Sequence, residues 1–131
     1  MSPILFTSQG RPNVLKILMP YPPSINRLWR ASKRGGVYKS QEYRDWQTEA
    51  RWEIDKQIKK QRVSGHYKLT ILVVRPDKRR RDLGNLEKAI SDILVMTNTI
   101  DDDCLCDWID IRWTESGPDC MVIIEPMGEI K

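Results

Sequence analysis

A chain of 131 residues and 15.4 kDa has room for one domain, and with 40% hydrophobic and 31% charged residues it can bury a core without disulfide staples. Lys+Arg outnumber Asp+Glu by 22 to 18, so the net charge is +4 and the pI about 9.0, a modest lean toward anionic partners such as nucleic acid. No apolar run has bilayer-spanning length, the first residues lack the regions of a secretion signal, and three cysteines without a C-x-x-C pair argue for a reducing, cytoplasmic setting and against a zinc ribbon. His66 is the only histidine, which leaves catalysis to carboxylates, lysine or a hard metal ion.

In chain order, residues 1–13 read as an irregular leader, 14–127 as the folded domain and 128–131 as a tail. The run 14–19 is strand-like and stops at Pro20-Tyr21-Pro22-Pro23, which cannot continue a ladder. A cation- and glycine-rich loop follows, from Asn26 to Gly36. Ser40 is placed to cap a helix over 41–60, whose apolar face recurs at Tyr43, Trp46, Ala50, Ile54 and Ile58. The next strand, 66–75, is apolar on both faces and so is expected inside a sheet covered on both sides. Leu86, Ala89, Ile90, Ile93 and Leu94 then set the period of an amphipathic helix over 86–97. Strands at 106–114 and 120–125, joined across 115–119, are expected to pair as an antiparallel hairpin. The order β-α-β-α-β-β predicts a small α/β domain, with a mixed sheet packed against two main helices.

The chemistry concentrates in the turn between the buried strand and the second helix. Lys78, Arg79, Arg80 and Arg81 are four successive cations suited to a phosphate backbone. Asp82 and Glu87 lie beside them, and carboxylates repel nucleic acid unless a divalent cation stands between acid and phosphate. A second acidic cluster, Asp101-Asp102-Asp103, follows the helix. A helix over 86–97 is about 18 Å long, so the two clusters share a site only if the chain brings the acids back past the helix start. Trp29, between Arg27 and Arg30, has the position to stack on a base or to pack.

The segment Arg80-Arg81-Asp82-Leu83-Gly84-Asn85-Leu86-Glu87-Lys88, with Asp92, resembles the R-R-D-x-D-N-x-x-K…D signature of the RusA family of Holliday-junction resolvases. Pro22-Pro23-Ser24-Ile25-Asn26-Arg27 resembles its P-P-S-x-N-R element, and Ile100-Asp101-Asp102 its L/I-D-D motif, all in family order. The resemblance implies a RusA-like fold and a homodimeric, Mg²⁺-dependent endodeoxyribonuclease. Such an enzyme cuts four-way junction DNA by paired, symmetric nicks in recombination and repair, in a bacterial or phage setting. It also implies Asp82 and Asp102 as metal ligands, with Asp103 as the alternative to Asp102. Lys88 would stabilise charge at the scissile phosphate, Arg81 and Asn85 would support phosphate or acids, and Asn26 and Arg27 would lie on the DNA surface. One position departs from the pattern: the family usually has an aspartate where this chain has Gly84. Glu87, three residues on and on the same helical face, is the physical candidate for the missing catalytic and metal-binding carboxylate. The competing expectation is a relative that binds branched DNA and no longer cuts it.

Overall fold

The computed structural model describes residues 13–77 and 81–128. Most of the leader, the end of the tail, and the cations Lys78, Arg79 and Arg80 therefore lie outside the described residues. The elements are β1 (Leu15–Met19), β2 (Trp29–Ala31), β3 (Val37–Lys39), α1 (Gln41–Ile58), β4 (Tyr67–Val74), α2 (Glu87–Met96), β5 (Cys106–Thr114) and β6 (Cys120–Pro126). Short 3₁₀ turns at Ile25–Arg27, Leu83–Leu86 and Asp103–Leu105 connect them.

Both helices form where the apolar spacing predicts. The Ser40 side chain accepts from the Tyr43 amide at 3.1 Å and starts α1. The helix stops at Ile58 because Lys59 and Lys60 turn into the left-handed region (φ 49° and 69°). On α2, Ala89, Ile90, Ile93 and Leu94 are buried on the sheet, as the 3.6-residue period requires.

The main sheet has the order β1-β6-β4-β5, with β4 and β5 parallel and the other pairs antiparallel. This corrects the expected hairpin, since β5 and β6 are antiparallel to each other but do not pair. β4 lies between them and pairs with both, because it carries the apolar side chains fit for the sheet's interior. The link 115–119 crosses the end of β4, where the Val74 amide donates to Asp119 O at 3.0 Å and the Arg75 amide to Thr114 O at 3.4 Å.

The expected double cover of β4 is also corrected. Tyr67, Leu69, Ile71 and Val73 are fully buried among the residues that α1 and α2 contribute to the core, whereas Lys68, Thr70, Leu72 and Val74 stay partly exposed. In the loop read as irregular, β2 and β3 form a small hairpin that pairs Trp29 with Lys39 and Ala31 with Val37, with Gly35 and Gly36 at positive φ in its turn. Strands of three residues are too short to show a period of two.

The two outer strands of the sheet end differently. Gln57 of α1 closes β1: the Leu18 amide donates to its Oε1 at 2.7 Å, and its Nε2 donates to Leu18 O at 2.8 Å. That occupies the outward backbone groups of Leu18 on the shorter outer strand.

Candidate active site

Two loops separated by more than fifty residues meet in a cleft of about 560 Å³, which Asn26, Arg27, Arg81, Asp82 and Asn85 line together. Each loop is held locally. Ser24 accepts from the Asn26 amide at 3.1 Å, and its carbonyl accepts from Arg27 N at 2.8 Å, which forms the turn. Ser40 Oγ then donates to Arg27 O at 2.6 Å, so the cap of α1 pins that turn. Trp46 Nε1 donates to Pro20 O at 3.0 Å from the cleft wall.

On the opposite side, Asp82 Oδ1 accepts from Gly84 N at 3.2 Å and its carbonyl from Asn85 N at 3.1 Å, an Asx turn that leads into α2. Arg81 forks onto Asp77, with Nη2 to Oδ2 at 2.7 Å and Nε to Oδ1 at 3.3 Å, and that hydrogen bonding raises its pKa. Asp82 also borders a second groove with Arg81, Leu83 and Trp113, where the Arg75 guanidinium lies 4.6 Å from the Trp113 ring centroid. The exposed Asp82 side chain thus borders both depressions.

The start of α2 and the acidic turn come together around Lys88. Its ammonium is paired with Asp92 Oδ1 at 3.1 Å, and that hydrogen bond and charge, followed by the charges of Asp103 and Glu87, raise its pKa. Asp92 also accepts from the buried Tyr43 hydroxyl at 3.3 Å and so fixes Lys88 from behind. Burial pushes the Tyr43 hydroxyl up to about 12, with Asp92 adding to the shift.

The three acids of the turn divide their work. Asp101 accepts from Gly65 N at 2.9 Å and from the Arg62 guanidinium, which holds its carboxyl below the usual aspartate range. Asp102 Oδ1 accepts from Cys104 N at 3.0 Å and caps the turn, which also lowers its pKa. Asp103 is the one whose charge reaches Lys88 and the buried Tyr67. The Asp101 contacts imply a pH effect. A folded-state pKa below the unfolded value contributes stability above the unfolded pKa, and that contribution is lost as pH falls through the folded one. Asp101→Asn is therefore expected to lower the unfolding midpoint at pH 7 and to flatten its fall below about pH 4, as followed by urea melts.

The donor oxygens of Asp82, Glu87, Asp102 and Asp103 suit a hard cation. Among the described residues, however, no group of three or more Asp, Glu, His or Cys side chains is arranged to hold a metal. The expected trio of Asp82, Asp102 and Glu87 is therefore not assembled as a cage. Asp82 and Asp102 serve as caps, and the Glu87 carboxylate accepts from the Ser91 hydroxyl. What the residues fit is the sparser set in which one or two carboxylates bind Mg²⁺ and waters and phosphate complete it. The hydroxyl of Tyr67 is buried beside the Cys106 thiol, and burial, with the neighbouring Cys106 and Asp103 adding to it, raises its pKa. The side of Gly84 is open: its φ is not in the left-handed region, and an added Cβ would meet only Asp82 Oδ1, at 3.6 Å. Sequence reasoning missed Tyr43 and Trp113. Tyr43 was hidden in the apolar stripe of α1, and Trp113 in a strand pattern.

Fold and site together define a small α/β domain that presents cations and acids on one cleft. The family model described as Endodeoxyribonuclease RusA matches residues 20–125. The chain is 35% identical over 97 residues to the crossover junction endodeoxyribonuclease rusA of Enterobacteria phage HK97, covering 70% of this chain and 75% of that protein. It is 30% identical over 83 residues to the crossover junction endodeoxyribonuclease RusA of Aquifex aeolicus (63% and 65% covered). Against the protein of the same name from Escherichia coli K12 it is 35% identical over 82 residues (63% and 68% covered). The chain belongs to the RusA family of endodeoxyribonucleases.

Proposed function

We propose that this protein is a crossover junction endodeoxyribonuclease, a homodimer that resolves four-way DNA junctions by paired nicks with Mg²⁺, in the cytoplasm of a bacterial or phage-infected cell. The observation that carries the reading is the cleft, which joins Asn26 and Arg27 to Arg81, Asp82 and Asn85 in a chain of this family. No described helix is long and apolar enough to cross a membrane.

In this reading the side chains of Asn26, Arg27 and Asn85 hold backbone phosphates and set the register of the strand. Lys78, Arg79 and Arg80 lie outside the described residues, and by charge they suit the same phosphate backbone. One or two of the carboxylates of Asp82, Glu87 and the acidic turn would hold the ion together with waters and phosphate, and when bound it supplies an activated water and charge neutralisation at the phosphate. Within the turn, Asp102 is the match to the second acid of the D-D motif, with Asp103 as the alternative. Lys88, steered by Asp92, stands ready to offset the charge that develops on the phosphate oxygens.

The test is incubation with a synthetic four-way junction at low salt, with and without Mg²⁺. Retardation in both conditions and paired cuts only with Mg²⁺ are expected. Retardation without cuts would leave a branched-DNA-binding protein, and no retardation would end the DNA reading. Because the space beside Gly84 is open, Gly84→Asp is expected to fold and to reduce the Mg²⁺ needed for half-maximal cleavage by about tenfold, the scale of one added ligand interaction.

A further inference from the structure

The second outer edge of the sheet is left open where the first is closed. β5 is nine residues long against five for β1. Among the described residues no strand and no side chain from another element pairs with its outer backbone, in contrast to Gln57 on β1. Two of its apolar side chains are also exposed, Trp108 at 54% and Ile109 at 46%, while Ile111 and Trp113 pack partly against the core. A long, uncovered, apolar edge is a template for another strand.

The sequence of β5 says which strand fits. Outward from Ile111 it reads Asp110 and Arg112, then Ile109 and Trp113, then Trp108 and Thr114. Suppose a second copy runs antiparallel about a two-fold axis through Ile111. Asp110 then stands opposite the partner's Arg112, and Arg112 opposite the partner's Asp110, on the side where these two already pair at 2.7 Å within one chain. On the helix side, Ile109 stands opposite the partner's Trp113 and Ile111 opposite its own copy. A shift of two residues in the pairing sets Asp110 against the partner's Asp110, or Arg112 against the partner's Arg112, and directly opposed like charges are unfavourable. A slip of one residue puts helix-side positions opposite open-face positions.

We infer that the outer edge of β5 is the surface through which two copies of this chain join, antiparallel and centred on Ile111, into one continuous sheet. The inference rests on the homodimer of the proposed function and specifies its contact. It places the two Trp113 side chains about 13 Å apart along the strand direction, from a rise of about 3.3 Å per residue. Trp113 lines the groove beside Asp82, so the two grooves flank the axis, as two-fold-related strands of a junction require.

The test uses the full chain with Cys104→Ser and Cys106→Ser, which leaves only the buried Cys120. Directly opposed residues in antiparallel strands have Cα atoms about 4.5–5.5 Å apart, within disulfide reach. Added Ile111→Cys is therefore expected to form a disulfide-linked dimer under mild oxidation, and Thr48→Cys on exposed α1 is not. In sedimentation, Asp110→Arg is expected to weaken self-association at least about tenfold, and Asp110→Arg combined with Arg112→Asp to restore it. If wild type sediments as a dimer while Ile111→Cys does not cross-link, or while Asp110→Arg dimerises unchanged, this surface is wrong and the homodimer stands. If wild type is monomeric at every concentration, surface and homodimer both fail. Junction cleavage judges the nuclease reading separately.

Discussion

Asp82→Asn is expected to cost on the order of a thousandfold in Mg²⁺-dependent junction cleavage, the scale of losing one preorganised charge-handling group. Stability should barely change. Asp82 Oδ1 accepts from Gly84 N, and asparagine keeps an oxygen at that atom, so the turn before α2 retains its cap. A thermal melt should stay within about 2 °C of wild type. Junction retardation should persist or tighten, since a carboxylate facing phosphate has been neutralised. Product bands, a gel shift and a melt on one preparation separate these effects. Cleavage at wild-type rate would remove Asp82 from the chemistry and pass the burden to Glu87 and the acidic turn.

Ile90→Ala is expected to destabilise the fold by about 2–5 kcal/mol, the range for emptying a fully packed aliphatic site, and to lower the melting midpoint on the order of 10 °C. Ile90 has no exposure and lies in the core that receives both helices. Its helix is only ten residues long and carries Glu87, Lys88 and Asp92 on its other positions. Cleavage at 25 °C should therefore fall more than the folded fraction alone accounts for, because the short helix holds its charged side chains in place through this contact. Lys60→Ala, at an exposed position after α1, should change the midpoint by less than about 2 °C.

Local signals made much of the fold legible. The α1 stripe from Tyr43 to Ile58 and the α2 stripe from Leu86 to Leu94 are periodic over several turns, and Ser40 marks where α1 begins. The sheet order was not legible, because sequence adjacency favours a hairpin of β5 with β6. Only the competition for the interior position, won by β4, decides against it. At the site, the motifs point to Asp82, Lys88, Asn26 and Arg27, with Glu87 added by helical spacing, and the structure brings Asp82 and the two loop residues onto one cleft. Choosing among Asp101, Asp102 and Asp103 depends on which carboxylate finds a backbone amide, a matter of turn geometry invisible in three identical letters. Asp92 is similar: its link to Lys88 follows from the i,i+4 spacing, but its link to Tyr43 spans 49 residues.

The hydroxyl of Ser40 performs two tasks, accepting from the first turn of α1 and donating to the carbonyl of Arg27. Helix initiation and the shape of the turn at Arg27 are thereby linked equilibria. Linkage is reciprocal, so a phosphate that steadies Arg27 must lend the same free energy to the frayed end of α1. Occupancy of the cleft would then be felt along α1, whose Glu42 and Trp46 line that cleft, as slower exchange of its leading amides with solvent deuterium.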